Sequence, residues 1–190
     1  AVCSVDELKV LGTHNVANAL AACAIAAAAG APVDAMRRAA TTFSGVEHRL
    51  ELIRERGTIR WYNDSIATTP ERTVAALQAF VAPVVLLAGG RDKHLPWQAM
   101  ADLTWQRARH LILFGEAAAL IEGAMASSPV RQDSCRIHQV GTLERAVELA
   151  ARVALPGDVV LLSPGGTSFD SYQDFAARGE HFRKLVGELE

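Results

Sequence analysis

From residue 58 onward short apolar runs alternate with helix-length stretches, and this alternation narrows the fold more than any other feature. After a strand-length segment at 58–63, the runs are residues 83–88 (PVVLLA), 110–114 (HLILF), 136–140 (RIHQV) and 158–162 (DVVLL). Between them lie residues 71–80, 97–105, 117–125 and 142–154, each spaced as a helix. Strands alternating with helices at this spacing predict βαβ units and a parallel sheet. Strands buried on both faces read as continuous apolar runs, as PVVLLA and DVVLL do. The expected fold class is therefore α/β, a Rossmann-like, mostly parallel sheet flanked by helices. Residues 50–54 and 58–63, on either side of Glu55-Arg56-Gly57, predict a β-hairpin at its start. Residues 171–190 are expected to form a terminal helix.

The first 45 residues have a different texture. They are alanine-rich and predict two helices, over residues 14–29 and 32–43, with Gly30 and Pro32 as the stop between them. Val33, Met36, Ala40 and Phe43 share one face of the second. Two domains are expected, an incomplete helical one over residues 1–45 and an α/β one over 46–190. The chain opens on Ala1 and is expected to be a piece of a longer protein.

Composition excludes several function classes. Nineteen basic residues stand against 21 acidic ones, with no basic stripe, so no nucleic-acid partner is expected. The longest largely apolar stretch, residues 17–29, interrupted only by Asn18, is too short and too alanine-rich to span a bilayer, and no membrane role is expected. Cys3, Cys23 and Cys135 are odd in number and have no metal-ligand or disulfide spacing, which fits a reducing, cytoplasmic compartment. No pair of histidines has ligand spacing, so no metal held by this chain alone is expected. Nothing in the pattern requires a partner subunit, and a monomer is expected.

In an open parallel sheet, ligands bind outside the carboxyl ends of the strands, so the loops there are the candidates. After residue 63 comes Asp64-Ser65-Ile66-Ala67-Thr68-Thr69-Pro70-Glu71. Thr69, Pro70 and Glu71 read as a helix start. Asp64, Ser65 and Thr68 precede that start and could hold an anion or a ribose. After PVVLLA, Gly89-Gly90-Arg91-Asp92-Lys93-His94 is either a tight turn with solvated charges or a close backbone approach to a ligand. Lys93 there suits a carboxylate or phosphate. After DVVLL, Ser163-Pro164-Gly165-Gly166-Thr167-Ser168-Phe169-Asp170 is either an anion cradle or a Gly-rich turn capped by Ser168. Asn15 and Asn18, three apart, share a helix face, with helix capping by Asn15 as the simpler account. His48-Arg49 reads as a surface ion pair with Glu47 or Glu51. His110 and His138 read as packed strand histidines and His181 as solvated.

Taken in order, these segments are recognisable. Residues 8–22 (LKVLGTHNVANALAA) resemble the GxHNxxNxLAA segment of the Mur ligases of peptidoglycan synthesis. Residues 43–51 (FSGVEHRLE) resemble their FxGxxHRxE junction, and residues 63–68 (NDSIAT) their NDSKAT loop. Residues 161–170 (LLSPGGTSFD), with Phe175 and Arg178-Gly179, are similar to the LLSPxxxSxDxFxxFxxRG segment of the D-glutamate-adding branch. The resemblance spans essentially the whole chain.

It implies the C-terminal part of a three-domain, ATP-dependent enzyme. ATP would phosphorylate the alanyl carboxylate of UDP-N-acetylmuramoyl-L-alanine, and the amine of D-glutamate would attack the acyl phosphate. Asn15, Asn18, Arg49 and Asp64 would contact ATP around adenine and ribose. Thr68, Lys93, Ser168, Phe169 and Phe175 would surround D-glutamate, with Lys93 at the reacting centre. Mg2+ would be bound mainly by the part of the enzyme not in this sequence. No GxxxxGK[ST] loop occurs here, so the isolated chain is expected to be inactive. Three departures stand out. Ile66 replaces the loop's usual Lys, Gly165-Gly166-Thr167 replaces Ala-Cys-Ala, giving a more flexible loop, and Phe169 replaces Leu. Two other readings stay open: a sister ligase of the Mur and folylpolyglutamate type, and a non-catalytic Rossmann-like binding module.

Overall fold

A computed structural model describes residues 1–130 and 135–189. The chain divides into two compact units, Ala1–Val46 and Glu47–Glu190.

The first unit holds a short 3-10 turn, Val5–Glu7, and helices α1 (Thr13–Ala28) and α2 (Val33–Thr42). Gly12, at φ 88°, is the N-cap of α1, so Asn15 is not. Its side chain instead donates to the Leu11 carbonyl at 2.7 Å, and Asn18 donates to Asn15 Oδ1. On α2 only Met36 is buried, while Val33 and Phe43 stay exposed. The anticipated apolar face exists by spacing, but this unit is too thin to cover it.

The second unit is built on six strands: β1 (Glu51–Arg56), β2 (Ile59–Asn63), β3 (Val84–Gly89), β4 (Ala108–Phe114), β5 (Arg136–Gly141) and β6 (Val159–Gly165). Their order is β1-β2-β6-β3-β4-β5. β1 and β2 form the expected antiparallel hairpin, and every other pairing is parallel. The hairpin turn is Gly57-Thr58 rather than residues 55–57, because Arg56 pairs with Ile59 and Gly57 takes φ 61°. β3 and β6 occupy the centre and are fully buried, which is why they read as unbroken apolar runs. β5, at an edge, keeps an exposed side and a mixed sequence.

Helices α3 (Pro70–Gln78), α4 (Gln98–Arg107) and α5 (Ala118–Ser127) pack on one another and cover one face; α6 (Leu143–Val153) and α7 (Phe175–Gly187) cover the other. α6 buries Leu143, Ala146, Val147 and Ala150, spaced by three and four, against Val85, Leu87, Ile112 and Phe114. α7 starts at Phe175, later than residue 171, because Asp174 caps it by accepting from the Ala177 N–H at 2.7 Å; Glu190 lies outside the described residues. Two histidine readings need correcting or extending. His181 is not simply solvated: Tyr172 Oη bonds its Nδ1 at 2.8 Å, and Glu144 lies 3.6 Å from its Nε2. His110 and His138 are packed strand residues, stacked and joined ring nitrogen to ring nitrogen at 3.0 Å.

This strand order places the site. From β3 the chain adds β4 and β5 outward, then returns to insert β6 on the other side of β3. The crevice where strand order reverses therefore opens between the ends of β3 and β6, and such a switch point is where open α/β sheets bind ligands.

Candidate functional site

Three loops meet at that end of the sheet, after β2, β3 and β6. They are laced together by backbone bonds. Arg91 and Thr167 exchange N–H···O bonds at 2.9 and 2.8 Å, and the Gly165 N–H donates to the Ala67 carbonyl at 2.9 Å. Gly90, at φ 90°, makes the first of these approaches possible: a Cβ there would sit 2.2 Å from the Thr167 carbonyl oxygen. The close approach inferred from the glycine pair is thus to a neighbouring loop.

Arg178 is the bolt through this assembly. It projects from α7 and is wholly buried, yet its hydrogen-bond partners are neutral oxygens. Nε donates to Ser65 Oγ at 3.0 Å; Nη1 to the Gly166 and Thr167 carbonyls at 3.2 and 3.1 Å; Nη2 to the Ser65 and Gly166 carbonyls at 2.9 and 3.2 Å. A guanidinium has five N–H donors, and all five are used. Burial pulls its pKa down to about 10, partly offset by the nearby Asp170 charge, so it stays a cation at neutral pH. Ser65 passes the link on, its hydroxyl donating to the Phe175 carbonyl at 2.7 Å. The Gly165-Gly166-Thr167 segment, expected to be loose, is held down from both sides. Sequence reasoning had Arg178 only as part of a motif. The available signal was an arginine on the buried stripe Arg178, Phe182, Val186, spaced by four along α7.

His48 and Arg49 do not form the surface pair expected. His48 is buried at φ 62°, where Asn63 Nδ2 donates to its Nδ1 at 2.9 Å and its Nε2 lies 3.6 Å from Glu180. Gly179 allows this, since a Cβ there would lie 2.2 Å from the ring nitrogen. The His48 N–H donates to Glu51, whose carboxylate also takes Arg183. Arg49 is exposed.

The candidate residues of this unit fall around the same loops. Lys93 Nζ donates to Thr68 Oγ1 at 3.3 Å, joining the β3 and β2 loops at the switch point. Thr69 sits at the N-cap of α3 with Pro70 next, but its side chain makes no capping bond. Ser168 is buried; its carbonyl accepts from the Ser171 and Tyr172 N–H groups, so it organises the β6–α7 turn by backbone. Phe169 is 61% exposed, an apolar ring held out at the rim. Phe175 lies edge-on to His48, with ring centroids 6.1 Å apart. Asn15 and Asn18 belong to the first unit. Among the described residues no three His, Cys, Asp or Glu side chains gather as a metal would need.

Asp64 is buried; its Oδ1 accepts from the Leu50 N–H at 3.2 Å and its Oδ2 from Ser163 Oγ at 2.8 Å. Burial pushes its carboxyl up to about 7, opposed by these bonds and by the Arg49 and Arg72 charges. The sign follows from the raised value. The native state holds this proton more tightly than an unfolded chain, so the stabilisation is complete below about pH 4 and is lost as pH rises through 7. Asp64→Asn should remove that slope from the variant's own stability curve, so that the difference between variant and wild type changes with pH by at most about 1.4 kcal/mol per pH unit. Urea unfolding of both proteins between pH 4.5 and 8 checks it; parallel curves would show that Asp64 does not titrate in this range.

The family model described as "Mur ligase, glutamate ligase domain" matches residues 48–166. The chain belongs to the Mur ligase family. Two curated relatives are UDP-N-acetylmuramoylalanine--D-glutamate ligases. That of Symbiobacterium thermophilum is 45% identical over 97% of this chain and 40% of its own length. That of Acetivibrio thermocellus is 40% identical over 100% and 41%. The chain thus spans about two fifths of these relatives. Among solved Mur ligases, the UDP-N-acetylmuramate-alanine ligase of Thermotoga maritima shares the fold with a TM-score of 0.68, at 22% identity over 95% of this chain and 39% of that one. The α/β, mostly parallel sheet flanked by helices that the alternation of runs predicts is the fold observed, and it is shared with these ligases. No helix among the described residues is long and apolar enough to cross a membrane.

Proposed function

We propose that this chain is the acceptor-amino-acid part of an ATP-dependent ligase that joins D-glutamate to UDP-N-acetylmuramoyl-L-alanine in the cytoplasm. The observation that carries the reading is the Lys93–Thr68 contact at the switch point, a cation and a hydroxyl from different loops that could both engage one carboxylate. Ser168 and the rings of Phe169 and Phe175 would complete the seat for D-glutamate. Amide-bond formation through an acyl phosphate needs the attacking amine held at the acyl carbon and negative charge neutralised around it. A seat bolted by Arg178 supplies the first, and Lys93 contributes to the second. Arg49 and Asp64 in this unit, and Asn15 and Asn18 in the other, are assigned by motif to ATP. Mg2+ is assigned by the resemblance mainly to the rest of the enzyme. The protein is read as acting as a monomer.

Amino-acid-dependent release of ADP by the full-length enzyme tests this. D-glutamate is expected to support turnover, and L-glutamate and diaminopimelate to support less than about a hundredth of it, the scale on which a site built on placed polar groups rejects a misfit. Equal turnover with diaminopimelate would move the reading to a sister ligase.

A further inference from the structure

The loop after β2 carries Ile66, an apolar residue where the resemblance has Lys, yet it does not lack positive charge. Arg72, in the first turn of α3, folds back so that its Nη1 donates to the Ile66 carbonyl at 3.1 Å. The same carbonyl accepts from the Thr68 N–H at 2.9 Å. The Arg72 guanidinium therefore lies against the short segment whose hydroxyl, on Thr68, is bonded by Lys93. Two cations from different elements, α3 and the β3 loop, thus converge on residues 66–68. Neither is ion-paired with a carboxylate among the described residues, whereas Arg91 and Arg183 both are. Only one of the five Arg72 donors has a hydrogen-bond partner among the described residues, and the residue is exposed, so the rest can reach an incoming anion. Two cations held at one short segment by neutral partners repel each other, an arrangement that an anion between them relieves.

We propose that Arg72 is a specificity-determining residue of the amino-acid seat, supplying from α3 the charge that Ile66 does not, so that Arg72 and Lys93 together hold the two carboxylates of a dicarboxylic amino acid. This rests on the reading of the site as an acceptor seat. It also gives Ile66 a reason: with an arginine already against its carbonyl, a lysine at 66 would add a third cation to the same few ångströms.

The test uses the full-length enzyme with Arg72→Gln, Arg72→Lys and the double variant Ile66→Lys with Arg72→Gln, measuring KM separately for D-glutamate and ATP. A charge-assisted hydrogen bond lost from the seat predicts a 10- to 100-fold rise in KM for D-glutamate for Arg72→Gln, with KM for ATP within twofold. Arg72→Lys recovers most of that loss, and Ile66→Lys in the Arg72→Gln background recovers part of it, which a merely structural role would not allow. A KM for D-glutamate within twofold of wild type in Arg72→Gln overturns the proposal, as does an equal rise for ATP, or a rise that neither lysine relieves. Lys93→Ala run alongside separates the two levels. If it raises KM for D-glutamate and Arg72→Gln does not, only the Arg72 assignment fails; if neither does, the acceptor-seat reading fails with it.

Discussion

Replacing Arg178 by Met should cost about 3–5 kcal/mol of folding stability, the range for removing one member of a buried polar cluster. Met fills much of the arginine's volume, so packing alone would cost little. The loss comes from what is left behind. The carbonyls of Ser65 and Gly166 would lose their donors inside the protein, while the Thr167 carbonyl keeps the Arg91 N–H and the Ser65 hydroxyl keeps its bond to Phe175; each orphaned carbonyl costs roughly 1–3 kcal/mol where no water reaches it. Part is recovered because burying a guanidinium is itself unfavourable, which is why the simple sum is not expected. Against a typical total of about 5–15 kcal/mol, the variant sits near the edge of folding. Urea unfolding monitored at Trp61 and Trp105 would read it. Arg178→Lys, which keeps the charge but not the fork, should recover less than half. A Met variant within about 1 kcal/mol of wild type would mean that the loops are held by their mutual backbone bonds alone.

The second large effect is expected at Lys93. In the proposed seat its ammonium neutralises a substrate carboxylate beside Thr68, and among the described residues no other lysine or arginine bonds Thr68 Oγ1. Lys93→Ala in the full-length enzyme should lower kcat/KM for D-glutamate by about 100- to 1,000-fold, the scale on which single preorganised charges act in such sites. Its folding stability should change by less than about 0.5 kcal/mol, since Lys93 is exposed and its one side-chain hydrogen bond among the described residues, to half-buried Thr68, is long at 3.3 Å. The pairing of a large kinetic loss with a small thermal one distinguishes Lys93 from Arg178, whose loss must appear in both. A Lys93→Ala enzyme with unchanged kcat/KM would place the carboxylate elsewhere.

The sheet was legible because burial on both faces writes itself into composition. PVVLLA and DVVLL are apolar throughout since β3 and β6 have no solvent side. Helix α6 was legible for the complementary reason, one buried stripe. The hairpin was found and its turn misplaced, because Glu55, Arg56 and Gly57 are all plausible turn residues and only the register shows that Arg56 still pairs. Among candidate residues, the loop positions of Thr68, Lys93 and Ser168 followed from the rule about strand ends. Their mutual contacts did not, because they depend on strand order, and no local pattern reveals that β6 inserts between β2 and β3. The same long-range insertion hid the role of Arg178 and misled the reading of His48. A histidine beside Glu47 and Glu51 looks like a surface ion pair until the α7 glycine that makes room for its ring is known.

Amide NMR titration of this chain with D-glutamate, with L-glutamate as the control, addresses the location of the acceptor seat. Shifts confined to Thr68, Lys93, Ser168 and their neighbours, seen with D-glutamate and absent or far weaker with L-glutamate, are the predicted result. Shifts centred away from the ends of β2, β3 and β6, or no selective shifts at these residues in either this chain or the full-length enzyme, would contradict it.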